Sequence, residues 1–215
     1  MRPWPDHRPP GAAREPVGRP GPERRASAGQ RRPGRRREER PVNVKFLNPF
    51  VEAAYEVLRA ETGVAVARGD LALDKHPYVT DDVTVILSLV GRVEGTVFYS
   101  MSRETAMALA SLMLGERLRE LDGLAQSGVA ELGNVITGRA TVKLADAGYA
   151  STISPPTLLV GRGATISTLD FHRLVVPLDS DCGRVLIQLA VREGANRGQT
   201  MAALPVPARP ALAGS

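Results

Sequence analysis

The sequence has a single cysteine, Cys182, and few aromatic residues, which make up 4% of its 215 residues. One cysteine excludes an internal disulfide and a cysteine zinc site, and it is typical of a reducing compartment, so we expect a cytoplasmic location. The longest apolar run, Val83 to Met101, is interrupted by Arg92 and Glu94, so no segment is expected to span a membrane. The 43% of hydrophobic residues is ordinary for a globular protein and indicates a folded core.

Net positive charge is confined to the N-terminal 40 residues, and the rest of the chain has a slightly negative balance. Residues 1–40 hold 12 of the 28 Lys and Arg and 5 of the 23 Asp and Glu, a local balance of +7. The other 175 residues therefore hold 16 basic and 18 acidic groups, a balance of −2. An Arg-rich arm could neutralise the phosphates of nucleic acid. Because the remaining sequence is slightly acidic, nucleic-acid binding is not the favoured function.

The composition divides the chain into one domain and two tails. Residues 1–41 contain nine prolines and almost no aliphatic side chains, so they cannot bury enough apolar area and are predicted to be disordered. They lack the apolar core of a secretory signal. Their richness in Arg, Ala, Pro and Gly is typical of translated GC-rich DNA, so it also fits a stretch that lies before the true start codon and is not translated. Residues 193–215, with three prolines among small residues, are predicted to be a second disordered tail. The folded domain is expected at 42–192.

The domain pattern predicts a helix, three strands, a helix, a long helix and three more strands. The first helix is expected to begin with Asn48 as its N-cap and Pro49 at the first helical position, and to end at Gly63. The second helix follows Ser102, and the long helix spans Leu121 to Ala147. The predicted strands are Val64–Leu73, Val83–Val90, Gly95–Met101, Ser151–Val160, Leu174–Pro177 and Arg184–Val191.

This order of elements looks like a twofold repeat of a helix-plus-three-strands unit of about 85 residues. The strands occur in groups with hairpin spacing, for example across Gly91–Glu94. Such grouping favours an α+β fold with an antiparallel-rich sheet over a doubly wound parallel one.

The long helix carries the most informative polar residues. Glu131 and Asn134 are i,i+3 neighbours and are predicted to project side by side. Three glycines, Gly128, Gly133 and Gly138, each cost about 1 kcal/mol relative to Ala in a helix interior. They indicate either a smooth face that inserts into another protein's site or close packing on the domain's own sheet. The expected polar side comprises Ser127, Glu131, Asn134, Gly138, Thr141 and Ala145, and the expected apolar side Leu121, Leu124, Leu132, Val135, Ile136 and the stem of Arg139.

Three segments together resemble the CheC/CheX/FliY family of chemotaxis phosphatases. They are Asn43–Phe50 (NVKFLNPF), the helical stretch Glu131–Gly138 with its Glu-x-x-Asn motif, and Pro156–Gly163 (PTLLVGRG). The resemblance covers about residues 42–192 and implies an α/β (α+β) fold with pseudo-twofold halves and a long active-site helix. In this chain the first helix has Tyr55 where a second Glu-x-x-Asn motif would require Asn, which is the pattern of CheX-like members. CheX-like members are homodimers, so the resemblance implies a homodimer with one site per chain.

The resemblance also implies a reaction. The substrate would be the aspartyl phosphate of a phosphorylated CheY-like response-regulator receiver, with Asn134 orienting the attacking water and Glu131 docking the receiver. The chain would need no cofactor of its own, because Mg²⁺ would be held by the partner receiver. No cluster of His, Cys and carboxylates in the sequence has metal-ligand spacing. The alternative is a non-catalytic CheX-like module that binds a receiver or mediates dimerisation in a two-component pathway.

Overall fold

The computed structural model describes residues 44–168 and 172–194, which form three α-helices and ten strands. The predicted extension 1–41 and most of the predicted tail 193–215 lie outside these residues. The helices are α1 (Leu47–Thr62), α2 (Arg103–Leu114) and α3 (Gly123–Asp146), and a 3-10 turn, Val44–Phe46, precedes α1. The strands are β1 (Ala67–Arg68), β2 (Ala72–Asp74), β3 (Tyr78–Val79), β4 (Val83–Gly91), β5 (Val93–Met101), β6 (Ser151–Ile153), β7 (Thr157–Val160), β8 (Thr165–Ile166), β9 (Arg173–Ser180) and β10 (Gly183–Glu193).

The two halves of the domain repeat the same plan, as predicted, but each unit has five strands instead of the predicted three. Each half has a long helix, three short strands and a hairpin of two long strands, and α2 lies between the halves. The main sheet is antiparallel, with the order β1-β9-β10-β5-β4-β6, and β2 and β7 extend its edges. Equivalent strands β5 and β10 pair at its centre, from Val185↔Met101 to Glu193↔Val93. The edges also correspond, since β4 pairs with β6 and β7 while β9 pairs with β1 and β2.

Two strand predictions are wrong because each joins two separate strands. The predicted strand Val64–Leu73 comprises β1 and the start of β2, and Ser151–Val160 comprises β6 and β7. The Ser154–Pro156 segment separates β6 from β7, and neither of its prolines has an N–H for the ladder with β4. The hairpin between β4 and β5 is tighter than predicted, with Arg92 alone between the two strands.

The predicted ends of α1 and α2 are confirmed at Ser102 and Gly63, and the predicted N-cap of α1 is wrong. Ser102 caps α2 by accepting a hydrogen bond from the Thr105 N–H, as predicted. Asn48 is not an N-cap: α1 begins at Leu47, and its capping position, Phe46, has right-handed helical angles and makes no side-chain cap. The physical reason is that the 3-10 turn runs directly into α1, so no extended residue precedes the helix. Gly63 ends α1 in the left-handed conformation, at φ 69°.

The helices pack on one face of the sheet and form the main core. The apolar face of α1 is buried there, together with β4 residues Val85, Leu87 and Leu89. On the other face, the short β3–β8 ribbon contributes to a small cluster around Tyr78 and Phe98. No helix in the described part of the chain is long and apolar enough to cross a membrane.

A buried arginine organises the face of the sheet opposite the helices. The Arg173 guanidinium is 1% exposed, donates to Gln188 Oε1 at 3.0 Å, and forms a 2.6 Å ion pair with Asp74. The pKa of Asp74 is lowered, first by the hydrogen bond from the His76 N–H and also by the charge of Arg173. This network lies away from α3 and has a structural role.

Candidate active site on helix α3

Glu131 and Asn134 lie next to each other on the outer surface of α3, as the sequence predicts. Asn134 Nδ2 donates a hydrogen bond of 3.3 Å to Glu131 Oε2. Glu131 is exposed and Asn134 is half-buried. Among residues 44–168 and 172–194, no donor bonds Asn134 Oδ1, so this oxygen and one amide N–H can bind a water or a partner.

The buried side of α3 combines small residues with larger apolar ones, which corrects part of the predicted face. Leu124 was expected in the apolar side but is 52% exposed, and Val135 is half-buried. Leu121 is buried but precedes the helix, whose N-cap is Asp122. The residues that α3 buries are Ala125, Val129, Leu132, Gly133, Ile136, Thr137, Ala140 and Leu144. Small residues here allow the helix to lie close to the sheet.

The outer side of α3 forms a stripe with a single charge. We define the α3 stripe as the residues from Leu124 to Val142 whose positions lie within about 60° of Glu131 around the helix: Leu124, Ser127, Gly128, Glu131, Asn134, Val135, Gly138 and Val142. Leu124 precedes Glu131 by about two turns, Gly138 follows it by about two and Val142 by about three, which puts all three on its side of the helix. Glu131 is the only charged member of the stripe.

The three helix glycines have different surroundings. A Cβ added at Gly133 would lie 2.8 Å from Val85 Cγ1 and 3.2 Å from Tyr99 Cδ2, so this glycine permits close packing on the domain's own sheet. A Cβ at Gly138 would meet nothing within 4 Å, and one at Gly128 would touch Ala110 Cβ at 3.9 Å. Gly133 therefore serves close packing on the domain's own sheet, as one interpretation predicts, while insertion of the face around Gly138 into another protein's site stays a prediction.

A buried pair of hydroxyl groups anchors the turn that carries Glu131 and Asn134. Thr137 Oγ1 donates to the Gly133 carbonyl at 2.7 Å, so Tyr99 must donate its hydroxyl proton to Thr137 Oγ1, at 2.9 Å. Burial raises the pKa of Tyr99, which keeps that proton in place. Sequence reasoning missed this anchor, because Tyr99 comes from a strand 38 residues away and has no spacing relation to the motif.

The first helix presents no free counterpart of the Glu131–Asn134 pair. Glu52 Oε2 lies 3.4 Å from Lys143 Nζ of α3, and Tyr55 packs against the core. Lys143 also bonds Glu56 at 2.8 Å, and this bond raises the pKa of Lys143 and lowers that of Glu56. Arg139 of α3 also lies 3.5 Å from Glu56. Glu52 and Glu56 on one helix and Arg139 and Lys143 on the other each have i,i+4 spacing, and these spacings could have indicated ion pairs between the two helices.

The described residues contain no group of three or more His, Cys, Asp or Glu side chains arranged to hold a metal ion. The Glu131–Asn134 pair offers one carboxylate and one carboxamide on the outer side of α3.

Comparison with known proteins identifies the family of the chain. The family profile described as Chemotaxis phosphatase CheX matches residues 83–179. CheY-P phosphatase CheX of Thermotoga maritima is 30% identical over 128 residues, which are 59% of this chain and 83% of that protein.

Solved structures share the whole domain. A CheC-like superfamily protein from Shewanella sp. PV-4 has a TM-score of 0.64 at 27% identity, over 70% of this chain and 99% of its own. A chain of the CheX–CheY–BeF3–Mg²⁺ complex from Borrelia burgdorferi has a TM-score of 0.60 at 30% identity, over 70% of this chain and 100% of its own. The fold is thus that of CheC-like proteins. Within that class, the chain belongs to the CheX family.

Proposed function

We propose that this chain is a protein phosphatase that hydrolyses the aspartyl phosphate of a CheY-like response-regulator receiver. The observation that carries the proposal is the Glu131–Asn134 pair, which stands hydrogen-bonded on the outer face of α3 in a member of the CheX family. The relative from Thermotoga maritima is a CheY-P phosphatase, and the relative from Borrelia burgdorferi forms a complex with CheY.

Asn134 acts by positioning water. An acyl phosphate is reactive without a covalent catalyst, so the main requirement is a water held in line with the bond that breaks. The water oxygen attacks phosphorus, the bond from phosphorus to the aspartyl oxygen breaks, and inorganic phosphate leaves with the receiver carboxylate restored. Asn134 Oδ1 accepts a hydrogen bond from this water, and a carboxamide does so without titrating.

Glu131 has a different role from Asn134. Its exposed carboxylate forms a charge-assisted contact with a cationic side chain of the receiver, and its bond with Asn134 Nδ2 fixes the amide. Charge on the transferring phosphoryl group is balanced by Mg²⁺ in the receiver's acidic cluster, so this chain supplies no ligand to the metal. The BeF3 and Mg²⁺ in the Borrelia burgdorferi complex fit this division of roles.

The catalytic unit in this proposal is the domain at 42–192, acting as a cytoplasmic homodimer with one α3 site per chain. The cytoplasmic location follows from the expected partner, a receiver domain.

The activity is tested by loss of the phosphoryl group from phosphorylated CheY-like receivers, with and without the chain. We expect a rate increase that grows with chain concentration and requires Mg²⁺. A chain that binds a BeF3-activated receiver but does not accelerate loss of the phosphoryl group would instead be a docking module.

A further inference from the structure

We propose that Leu124 and Val142 form two apolar contact points for the receiver, on either side of the Glu131–Asn134 pair. This inference rests on the proposed function and adds the determinants by which the receiver would be recognised. It requires a receiver with two apolar patches flanking its phosphorylated carboxylate.

The first observation is the composition of the α3 stripe. A helix face exposed to water normally carries charged and polar residues. The exposed face of α1 follows this rule, with Glu52, Glu56, Arg59 and Glu61. The α3 stripe has one charge, yet Leu124 is 52% exposed and Val142 is 59% exposed. Both side chains share the side of the helix that carries the Glu131–Asn134 pair, so a partner that reaches the pair also contacts them.

The second observation is the spacing of these residues. At a rise of about 1.5 Å per residue, Leu124 lies about 10 Å before Glu131 and Val142 lies about 12 Å beyond Asn134 along the helix. The two apolar side chains are therefore about 27 Å apart, with the polar pair between them. Gly138 lies between the pair and Val142, and its open surroundings leave room for a partner to approach the helix backbone.

The occupant is a receiver and not a second copy of this chain. Glu131 and Asn134 belong to the same stripe, so a dimer contact covering it would block the phosphorylated carboxylate from Asn134. A docked receiver covers Leu124 and Val142 as a consequence of reaching the polar pair. This arrangement matches the usual anatomy of interfaces, in which a few apolar anchors supply affinity and polar groups fix the register.

The test uses Leu124→Ser, Val142→Thr and the double variant, with Leu73→Ser and Val90→Thr as matched controls. Leu73 is 51% exposed on edge strand β2, and Val90 is 66% exposed at the end of β4. The α3 helix contacts β4, β6 and β7, so β2 lies at the far edge of the sheet. Val90 alternates with the helix-facing residues of β4 and lies on the opposite face.

Affinity is measured with a receiver activated by BeF3 and Mg²⁺, and turnover with the same receiver phosphorylated. We expect Leu124→Ser to raise the Kd about tenfold and Val142→Thr about threefold. The double variant should multiply the two effects, because distant sites act independently. The kcat at saturating receiver should stay within about twofold of wild type, because the Asn134 site is intact.

Three results would overturn the proposal: a double variant with the wild-type Kd, controls that lose as much affinity as the α3 variants, or a changed oligomeric mass in Leu124→Ser. The last would assign the surface to a second copy. Failure of the proposed function would look different, because BeF3-activated receiver would then bind the wild-type chain without its phosphorylated form being hydrolysed.

Discussion

At the scale of single residues, the contrast between the two long helices defines how many sites the chain has. Glu131 bonds Asn134 and faces outward, whereas Glu52 is held by Lys143 and Tyr55 contacts the core. A phenol cannot offer the carboxamide geometry that a positioned water requires. One site per chain is therefore expected.

Substitutions in α1 test this assignment. Glu52→Ala should leave the dephosphorylation rate close to wild type, because its carboxylate serves an exposed ion pair. Tyr55→Ala should lower the free energy of unfolding by about 2 kcal/mol, since it removes a ring packed on the core, without changing the rate per folded chain. The measurements are chemical denaturation and receiver dephosphorylation, with Glu131→Ala as the reference for loss at the true site. A rate loss in Glu52→Ala as large as in Glu131→Ala would mean that α1 is also active.

At the scale of elements, α3 contains two glycines that should respond in opposite ways to the same substitution. Gly138→Ala should raise the free energy of unfolding by about 1 kcal/mol, because Ala is the better helix former and its Cβ meets nothing. Gly133→Ala should lower it by about 1 kcal/mol or more, because the new Cβ would press on buried Val85 and Tyr99. Urea unfolding of both variants checks the pair. Stabilisation by Gly133→Ala would show that α3 does not need its close approach to the sheet.

Local signals predicted the elements well where a single residue decides. Ser102 begins α2 through a capping hydrogen bond, and Gly63 ends α1 through its left-handed backbone angles. Both positions were predictable from the sequence. Asn48 failed because the preceding 3-10 turn already supplied a helical residue at the capping position. The division of Ser151–Val160 follows from two consecutive prolines whose effect depends on pairing with β4, a partner that the local sequence does not reveal.

The candidate site was predictable in its polar pair but not in its surroundings. The i,i+3 spacing of Glu131 and Asn134 fixes their proximity on any helix. The exposure of Leu124 was not predictable from large apolar residues alone, because α3 buries Leu132 and Ile136 as expected but completes its buried side with small residues such as Gly133 and Ala140. The pairing of Tyr99 with Thr137 depends on a contact between β5 and α3 that only the fold creates.

At the scale of the whole molecule, the described domain has a core of its own. Its core already includes Phe46 and Leu47, which are buried at the start of α1. Lys45 bonds Tyr149 at 2.7 Å and Glu193 at 3.1 Å, so this end of the domain is joined to the loop after α3 and to the end of β10.

Removal of residues 1–41 is therefore expected to leave the melting temperature unchanged. The deleted stretch has no apolar periodicity with which to pack. Calorimetry on the full chain and on residues 42–215 makes the comparison. A fall of several degrees on truncation would show that residues 1–41 pack against the domain.

The central claim is that Asn134 supplies the rate and Glu131 supplies the docking contact. Single-turnover dephosphorylation at saturating chain, with a parallel titration of BeF3-activated receiver, tests it most directly in Asn134→Ala and Glu131→Ala. Asn134→Ala keeps the helix and removes only the carboxamide, so the receiver should still bind while hydrolysis falls on the order of 10². Glu131→Ala should instead weaken binding, because a charge-assisted contact is lost. An Asn134→Ala chain with undiminished turnover would contradict the account.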